Sequence, residues 1–365
     1  MMFVISTRNF PPEIGGMQNL IGGLANELVN HGPVTVFADK TDRQEEYDKV
    51  SKATIERFGG FKLFRKYRKA NRISEFIKEN ESIRSIFFDH WKSVEKINLN
   101  NIKNIPSFCL IHSKEINHEK GTSSNKRVLL SLEKVKFIIA NSRFTKTLAI
   151  NVGLPEKKIH IIHPGHDEPI DIEKKFINES KKIYGDSFPK ILTVARLEKR
   201  KNHQNILMCI RNLKEKFPKI KYIIVGDGDE KKKLLSLVYE LRLEKEVIFL
   251  NNIDQKLKIS LIQTSDLFLM PSIKYKRSVE GFGISFIEAA SYGVGSIGGR
   301  DGGAEDAIIN NETGLICDGQ DIGSIYNSIV EFFRNDNYKK FGSSAIKFSE
   351  HFTWKKIIRQ YLDLI

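Results

Sequence analysis

Cysteine is scarce in this chain: Cys109, Cys209 and Cys317 are the only three in 365 residues, and no CxxC pair occurs. That excludes a disulfide scaffold and a zinc knuckle. All three sit in apolar surroundings and are expected to pack as small hydrophobes. No apolar run reaches the length of a membrane span. No charged region precedes the apolar N-terminal stretch, which reads as a first core strand and not as a signal peptide. A reducing cytoplasm is therefore the expected location. HExxH, Walker A and GxSxG are absent, and no Asp, His and Cys cluster has metal-ligand spacing. The run GDGDE at 226–230 is too short for a calcium loop. Acidic side chains are outnumbered, 45 against 59 Lys and Arg, giving a formal net charge of +14. An anionic partner is implied, and nucleic acid, anionic lipid and phosphorylated small molecules all stay open.

What is present is an alternation of short apolar runs and helical patterns, in a chain long enough for two domains. Met2–Ser6 reads as a buried strand. The loop after it holds Pro11–Pro12 and Gly15–Gly16, and Leu20, Ile21, Leu24 and Leu28 then recur at helical spacing. Strand, Gly-Gly loop and helix make an anion-friendly site, without the GxGxxG dinucleotide fingerprint. Val34–Ala38 reads as the second strand, and the region 47–60 carries no clear pattern. Phe61–Ile77 is basic and amphipathic, with Lys62, Arg65, Lys66, Arg68, Lys69 and Arg72 interleaved with Phe61, Leu63, Phe64 and Tyr67. Such a segment suits an anionic membrane surface, or a solvated helix with its aromatics in the core. The strands Ile86–Phe88 and Phe108–Ile111 run into His90 and His112. A histidine just past a strand of a parallel sheet lies on the crevice side, which makes His112 a candidate substrate contact. The charged stretch Asp167–Gly185 reads as a domain linker.

The alternation then restarts. Lys190–Val194 is a strand, followed at once by Arg196 and Lys201; two cations beyond a strand end suit a diphosphate. Tyr222–Val225, Val247–Leu250, Leu267–Met270, residues 296–299 and Gly314–Cys317 read as further strands. A helix is expected near Gly303, and more helices over 321–363. After the 267–270 strand comes EGFGISFIEAA, residues 280–290. Gly281, Phe282 and Gly283 form a loop whose backbone amides, at a helix start, can meet a phosphate. Glu280 stands at its mouth and Glu288 about two turns along.

In this order the segments FPPEIGGMQ (10–18), VARLEKRKN (194–202), GDG (226–228), EGFGISFIE (280–288), GGAEDAIINNETGLIC (302–317) and HFTW (351–354) resemble the motifs of the retaining GT-B glycosyltransferases of family GT4. The resemblance spans almost the whole chain. It implies an α/β protein of GT-B fold, two Rossmann-like domains with parallel sheets facing a central cleft. Residues 1–168 would form the acceptor-binding domain and 169–350 the nucleotide-sugar-binding domain, with 351–365 crossing back to the first. It further implies transfer of a hexose from GDP-mannose or a UDP-hexose to a hydroxyl of a saccharide or lipid-linked acceptor, with no cofactor and no metal. Arg196 and Lys201 would hold the donor diphosphate, Glu288 the ribose, and Glu280 the transferred sugar, helped by amides at 281–283. Gly15 and Gly16 would border the phosphate, and His112 would contact the sugar near the reacting carbon. Peripheral contact with an anionic membrane at the inner face of the cell would suit the basic segment, and no nucleic acid is expected. The chain departs from the family at Asn202, where glycine is usual, at Gly295–Ser296 in place of Pro-Val, and at Glu305–Asp306 in place of Pro-Glu. A GT-B epimerase acting on a nucleotide sugar without an acceptor, and a non-catalytic nucleic-acid binder motivated by charge alone, are the alternatives.

Overall fold

Seven parallel strands form the sheet of the first unit in the computed structural model, which describes residues 1–13 and 15–365. They are β1 (Met2–Ser6), β2 (Val34–Asp39), β3 (Thr54–Phe58), β4 (Ile83–Phe88), β5 (Ser107–Ile111), β6 (Phe137–Ala140) and β7 (Ile159–Ile161). Their order across the sheet is β3-β2-β1-β4-β5-β6-β7, every pair parallel. The chain winds outward from β1 in one direction, then returns to β4 and winds in the other. The reversal between β1 and β4, with Ser6 opposite Phe88, is a topological switch point. Central strands are covered on both faces, so Phe3, Val4 and Ile5 in β1 and Ile86, Phe87 and Phe88 in β4 are fully buried, giving continuous apolar runs.

The second unit repeats the design with β8 (Lys190–Val194), β9 (Lys221–Val225), β10 (Val247–Leu250), β11 (Leu267–Met270), β12 (Ser296–Gly299) and β13 (Gly314–Cys317). The order is β10-β9-β8-β11-β12-β13, again all parallel, with the switch point between β8 and β11. Both sheets are Rossmann-like. The first unit comprises Met1–Asp167 and Phe352–Ile365, the second Glu168–His351.

The return of the C-terminus to the first unit has a local cause. His166 N–H donates to the Phe352 carbonyl at 2.9 Å and Trp354 N–H to the His166 carbonyl at 3.2 Å. The Trp354 ring then fills a notch left by two glycines: a Cβ on Gly23 or Gly165 would overlap the indole. The helix Trp354–Leu362 thereby lies along the helix Gly16–Leu28.

Three expectations about elements need correction. The stretch 167–185 is no plain linker: it holds the helix Lys174–Tyr184, which packs on the helix Gln255–Gln263 through a buried Tyr184. Its lysines masked an apolar stripe of Phe176, Ile177 and Tyr184 at helical spacing. The unpatterned region 47–60 contains the end of the helix Gln44–Val50 and the edge strand β3. The helix expected near Gly303 is a single 3₁₀ turn, Ala304–Asp306.

The basic segment is the helix Lys62–Glu79; Ala70 and Ile73 face the core, but the aromatics at its start do not, contrary to the solvated-helix reading. Phe61 and Phe64 are 73% and 65% exposed, whereas Lys69 is buried. Lys69 Nζ donates to the Thr7 carbonyl at 2.6 Å and pairs with Asp39 Oδ1 at 2.7 Å, and Arg65 reaches the other Asp39 oxygen at 3.3 Å. The Leu63 side chain lies outside the described residues. Among the described residues, no helix is long and apolar enough to cross a membrane.

Candidate active site

The second switch point brings two distant loops together. After β8 the chain makes one 3₁₀ turn, Lys199–Lys201, before the helix His203–Leu213. After β11 it runs through Pro271 and Ser272 to Glu280 and into the helix Ile284–Ser291. Lys201 Nζ and Glu280 Oε2 meet in a short buried ion pair. Arg200 Nη1 reaches the same carboxylate oxygen at 2.7 Å, and Ser272 Oγ lies 3.5 Å from it. Arg200 Nε is in turn 3.3 Å from Glu198, whose other oxygen holds Arg196 at 3.1 Å. Three cations and two carboxylates thus form one chain: Lys201, Glu280, Arg200, Glu198, Arg196.

The electrostatics follow from burial and sign. Burial alone would raise the Glu280 carboxyl, but Lys201 and Arg200 outweigh it and hold it down at about 2. Burial lowers the Lys201 ammonium, against the pull of Glu280. Burial also works against the Arg200 cation, yet Glu280 and Glu198 carry it above the ordinary guanidinium value. Glu280 is therefore a permanent anion at neutral pH, held between two cations and unsuited to donating a proton. The cations exceed the carboxylates by one, so a phosphate group has a net positive site to approach.

Backbone geometry fixes this arrangement. Asn202 closes the 3₁₀ turn at φ 63°, ψ 29°, the left-handed region open mainly to Gly and Asn. Its amide donates to the carbonyls of Pro271 at 3.0 Å and Gly319 at 2.6 Å, tying the loop after β8 to the one after β11. Asparagine thus supplies the conformation glycine would, and adds a tether. Gly283 caps the helix Ile284–Ser291 at φ 91°, and a Cβ there would overlap the Phe286 ring. The first turn of that helix presents amides with no intrahelical acceptor.

Lys201 and Glu280, both singled out in the sequence, are brought together. Arg196 is joined to them only through Glu198 and Arg200, and its side chain is 74% exposed. Glu288 lies on the helix Ile284–Ser291, with Oε2 3.8 Å from Lys258 Nζ, and among the described residues it is not bonded to the Glu280 cluster. Phe282 is buried in the core, so its side chain is withdrawn from any ligand. Arg200 is the member that sequence reasoning passed over. Asp227 turns inward on its own loop, accepting from Gly228 N–H at 2.9 Å, with Lys231 3.6 Å away. Among the described residues no group of three or more His, Cys, Asp and Glu could hold a metal ion.

Two candidates belong to the first unit. His112 follows β5; its N–H donates to Glu115 Oε1 at 2.5 Å, and Nε2 lies 3.2 Å from the Asp89 carbonyl. A carbonyl only accepts, so Nε2 carries the proton and Nδ1 of the neutral ring is left as an acceptor. Gly15 precedes the helix Gly16–Leu28, and a Cβ on Gly16 would meet nothing within 4 Å. Ile14, in the same motif, lies outside the described residues.

Known proteins match this chain along most of its length. The family Glycosyl transferases group 1 matches residues 173–348, and Glycosyltransferase Family 4 matches residues 14–168. A GDP-mannose-dependent alpha-(1-6)-phosphatidylinositol monomannoside mannosyltransferase of Mycolicibacterium smegmatis is 25% identical over 341 residues, 89% of this chain and 87% of that protein. An N-acetyl-alpha-D-glucosaminyl L-malate synthase of Bacillus anthracis is 27% identical over 243 residues, 66% of this chain and 61% of its own length. The crystal structure of Anabaena Alr3699/HepE in complex with UDP and glucose superposes with a TM-score of 0.81 at 17% identity, covering 100% of this chain and 98% of that one. At that identity the likeness shows the fold alone.

Proposed function

We propose that the chain, which belongs to the family 4 glycosyltransferases and takes a nucleotide sugar as donor, moves a hexose with retention to a hydroxyl of a saccharide or lipid-linked acceptor, without a metal. The observation that carries this reading is the Lys201–Glu280–Arg200 cluster at the second switch point. A diphosphate arriving there exchanges the Glu280 partner of Lys201 for its own oxygens. Glu280, released in part from Lys201, then turns to hydroxyls of the sugar. Arg196, exposed and paired with Glu198, swings to a second phosphate oxygen. Amides at the start of the helix Ile284–Ser291 add to the same charge. Glu288 takes the ribose.

No side chain in this scheme attacks the sugar. The acceptor hydroxyl enters on the face the diphosphate leaves, and the departing phosphate oxygen accepts its proton. The protein supplies position and stabilisation of the leaving group. His112, with its proton fixed on Nε2 toward Asp89, offers Nδ1 to a sugar hydroxyl.

The relatives leave the donor open between GDP-mannose and a UDP-hexose. The mannosyltransferase likeness over nine-tenths of the chain favours GDP-mannose and a lipid-linked acceptor. The exposed pair Phe61 and Phe64 suits peripheral attachment of the first unit at a membrane surface.

The test is transfer from a panel of nucleotide sugars in the presence of EDTA, with product stereochemistry read by NMR. Axial-to-axial retention from one donor, undiminished by the chelator, is expected. Inverted product contradicts retention. Loss of transfer in EDTA with recovery in magnesium contradicts metal independence and recasts Asp227 and Asp229 as ligands.

A further inference from the structure

The ends of three strands of the second unit are fastened together at Asn202. This residue follows Lys201 in the turn after β8 and is buried. Its side-chain amide carries two N–H groups. They serve two different loops: the Pro271 carbonyl after β11, at 3.0 Å, and the Gly319 carbonyl after β13, at 2.6 Å. Two further bonds brace the joint. Ile273 N–H donates to the Arg200 carbonyl at 2.8 Å, and Asn205 Nδ2 to the Gly319 carbonyl at 3.0 Å. Gly319 lies directly against Pro271, since a Cβ on it would stand 2.4 Å from the Pro271 carbonyl oxygen.

The joint lies between the two groups that carry opposite charge. On one side Lys201 is the residue before Asn202. On the other, Pro271 and Ser272 open the loop that leads to Glu280, and Ser272 Oγ is 3.5 Å from that carboxylate. Two kinds of link therefore join the loop after β8 to the loop after β11. One is the Lys201–Glu280 ion pair, which a diphosphate would take apart. The other is the set of amide bonds through Asn202, which carry no charge and which an arriving anion leaves in place. A glycine at this position reaches the same left-handed conformation but offers neither carbonyl a donor. Buried carbonyls without a donor are costly, so the loops would shift to find one.

We infer that Asn202 is a positioning residue for the donor diphosphate. It keeps the Lys201 turn in register with the loops after β11 and β13 while Lys201 exchanges Glu280 for phosphate. The diphosphate then meets a site that is already in place, and the cost of ordering a loop on binding is avoided. The inference rests on the reading that Lys201 holds the donor diphosphate. It adds that affinity for the diphosphate, and not for the nucleoside, depends on a buried neutral amide.

Calorimetry on the whole chain tests it, with UDP, UMP, GDP and GMP as probes. Asn202→Gly keeps the backbone conformation and removes both side-chain bonds. It is expected to weaken binding of the diphosphate by about tenfold, as loss of a charged hydrogen bond does. The monophosphate of the same base is expected to keep wild-type affinity. In transfer assays the donor KM is expected to rise by a similar factor while the acceptor KM stays. In a Lys201→Ala background Asn202→Gly is expected to have no further effect on the diphosphate, because it acts through Lys201. Asn205→Ala, which removes only the second donor to Gly319, is expected to bind both nucleotides like wild type. Gly319→Ala, which sets a methyl against the Pro271 carbonyl, is expected to repeat the selective loss. It carries the comparison should Asn202→Gly fold poorly. Wild-type diphosphate affinity in Asn202→Gly overturns the inference. Equal weakening of diphosphate and monophosphate overturns it as well, marking a general loosening of the unit. A lower kcat at unchanged donor KM does the same, marking a smaller folded fraction. A full additional loss in the Lys201→Ala background also overturns it. A wild type that binds the diphosphate beside an unaffected variant contradicts this inference alone, whereas a wild type that binds no nucleotide contradicts the donor reading with it.

Discussion

Lys201 and Glu280, 79 residues apart in the chain, close on each other across the second switch point in a buried ion pair. Glu280 also holds Arg200, so removing Lys201 leaves a buried carboxylate with one partner. Breaking a buried pair from one side costs about 3–5 kcal/mol. Lys201→Ala is therefore expected to lower the melting temperature and, through the lost diphosphate contact, to slow transfer by about two to three orders of magnitude. Arg196→Ala, at an exposed side chain, is expected to slow transfer while melting like wild type. Thermal melting and steady-state rates on the two purified variants check this; equal melting of both contradicts the structural half, and wild-type rates contradict the functional half.

Glu280 also sets a pH dependence. Its carboxyl is held down at about 2 in the folded protein, against an ordinary value of 4.5. A depressed carboxyl stabilises the fold fully above its unfolded value and loses that contribution as pH falls. The window therefore runs from about pH 4.5 down to about pH 2, and the contribution above it is on the order of 3 kcal/mol. Glu280→Gln is expected to melt well below wild type at pH 6, with the gap narrowing as pH falls through the window. A constant gap over that range would show that the carboxylate charge is not what Lys201 and Arg200 hold.

The proposed membrane attachment would rest on Phe61 and Phe64, because Arg65 and Lys69 of the basic stripe are taken up by Asp39. Phe61→Ser with Phe64→Ser is expected to abolish flotation with anionic vesicles, without loss of thermal stability, since neither ring is in the core. Equal flotation of wild type and variant would remove this segment as the contact.

Much of this fold was legible in the sequence because fully buried parallel strands are written as unbroken apolar runs, as in Tyr222–Val225. The edge strand β3 was not: TIERF is half-covered at best and mixes charge into the strand. Arg200 was missed for a related reason. Lys199, Arg200 and Lys201 lie in a 3₁₀ turn, whose residues point about 120° apart, so composition cannot tell which cations face inward. Asn202 in a glycine position was legible only as a departure; its left-handed φ of 63° shows that the conformation is kept. Likewise the stripe 62–69 announced one basic face but not that this face turns toward Asp39.

The central claim is that the second unit holds a nucleoside diphosphate at its switch point, with Glu288 on the nucleoside and Glu280 on the sugar. Calorimetry with UDP and GDP on wild type, Glu288→Gln and Glu280→Gln tests it most directly. The account predicts saturable binding of one nucleotide by wild type, about tenfold or more weaker binding by Glu288→Gln, and nearly unchanged binding by Glu280→Gln, which transfers slowly. Binding lost in Glu280→Gln and kept in Glu288→Gln would contradict it.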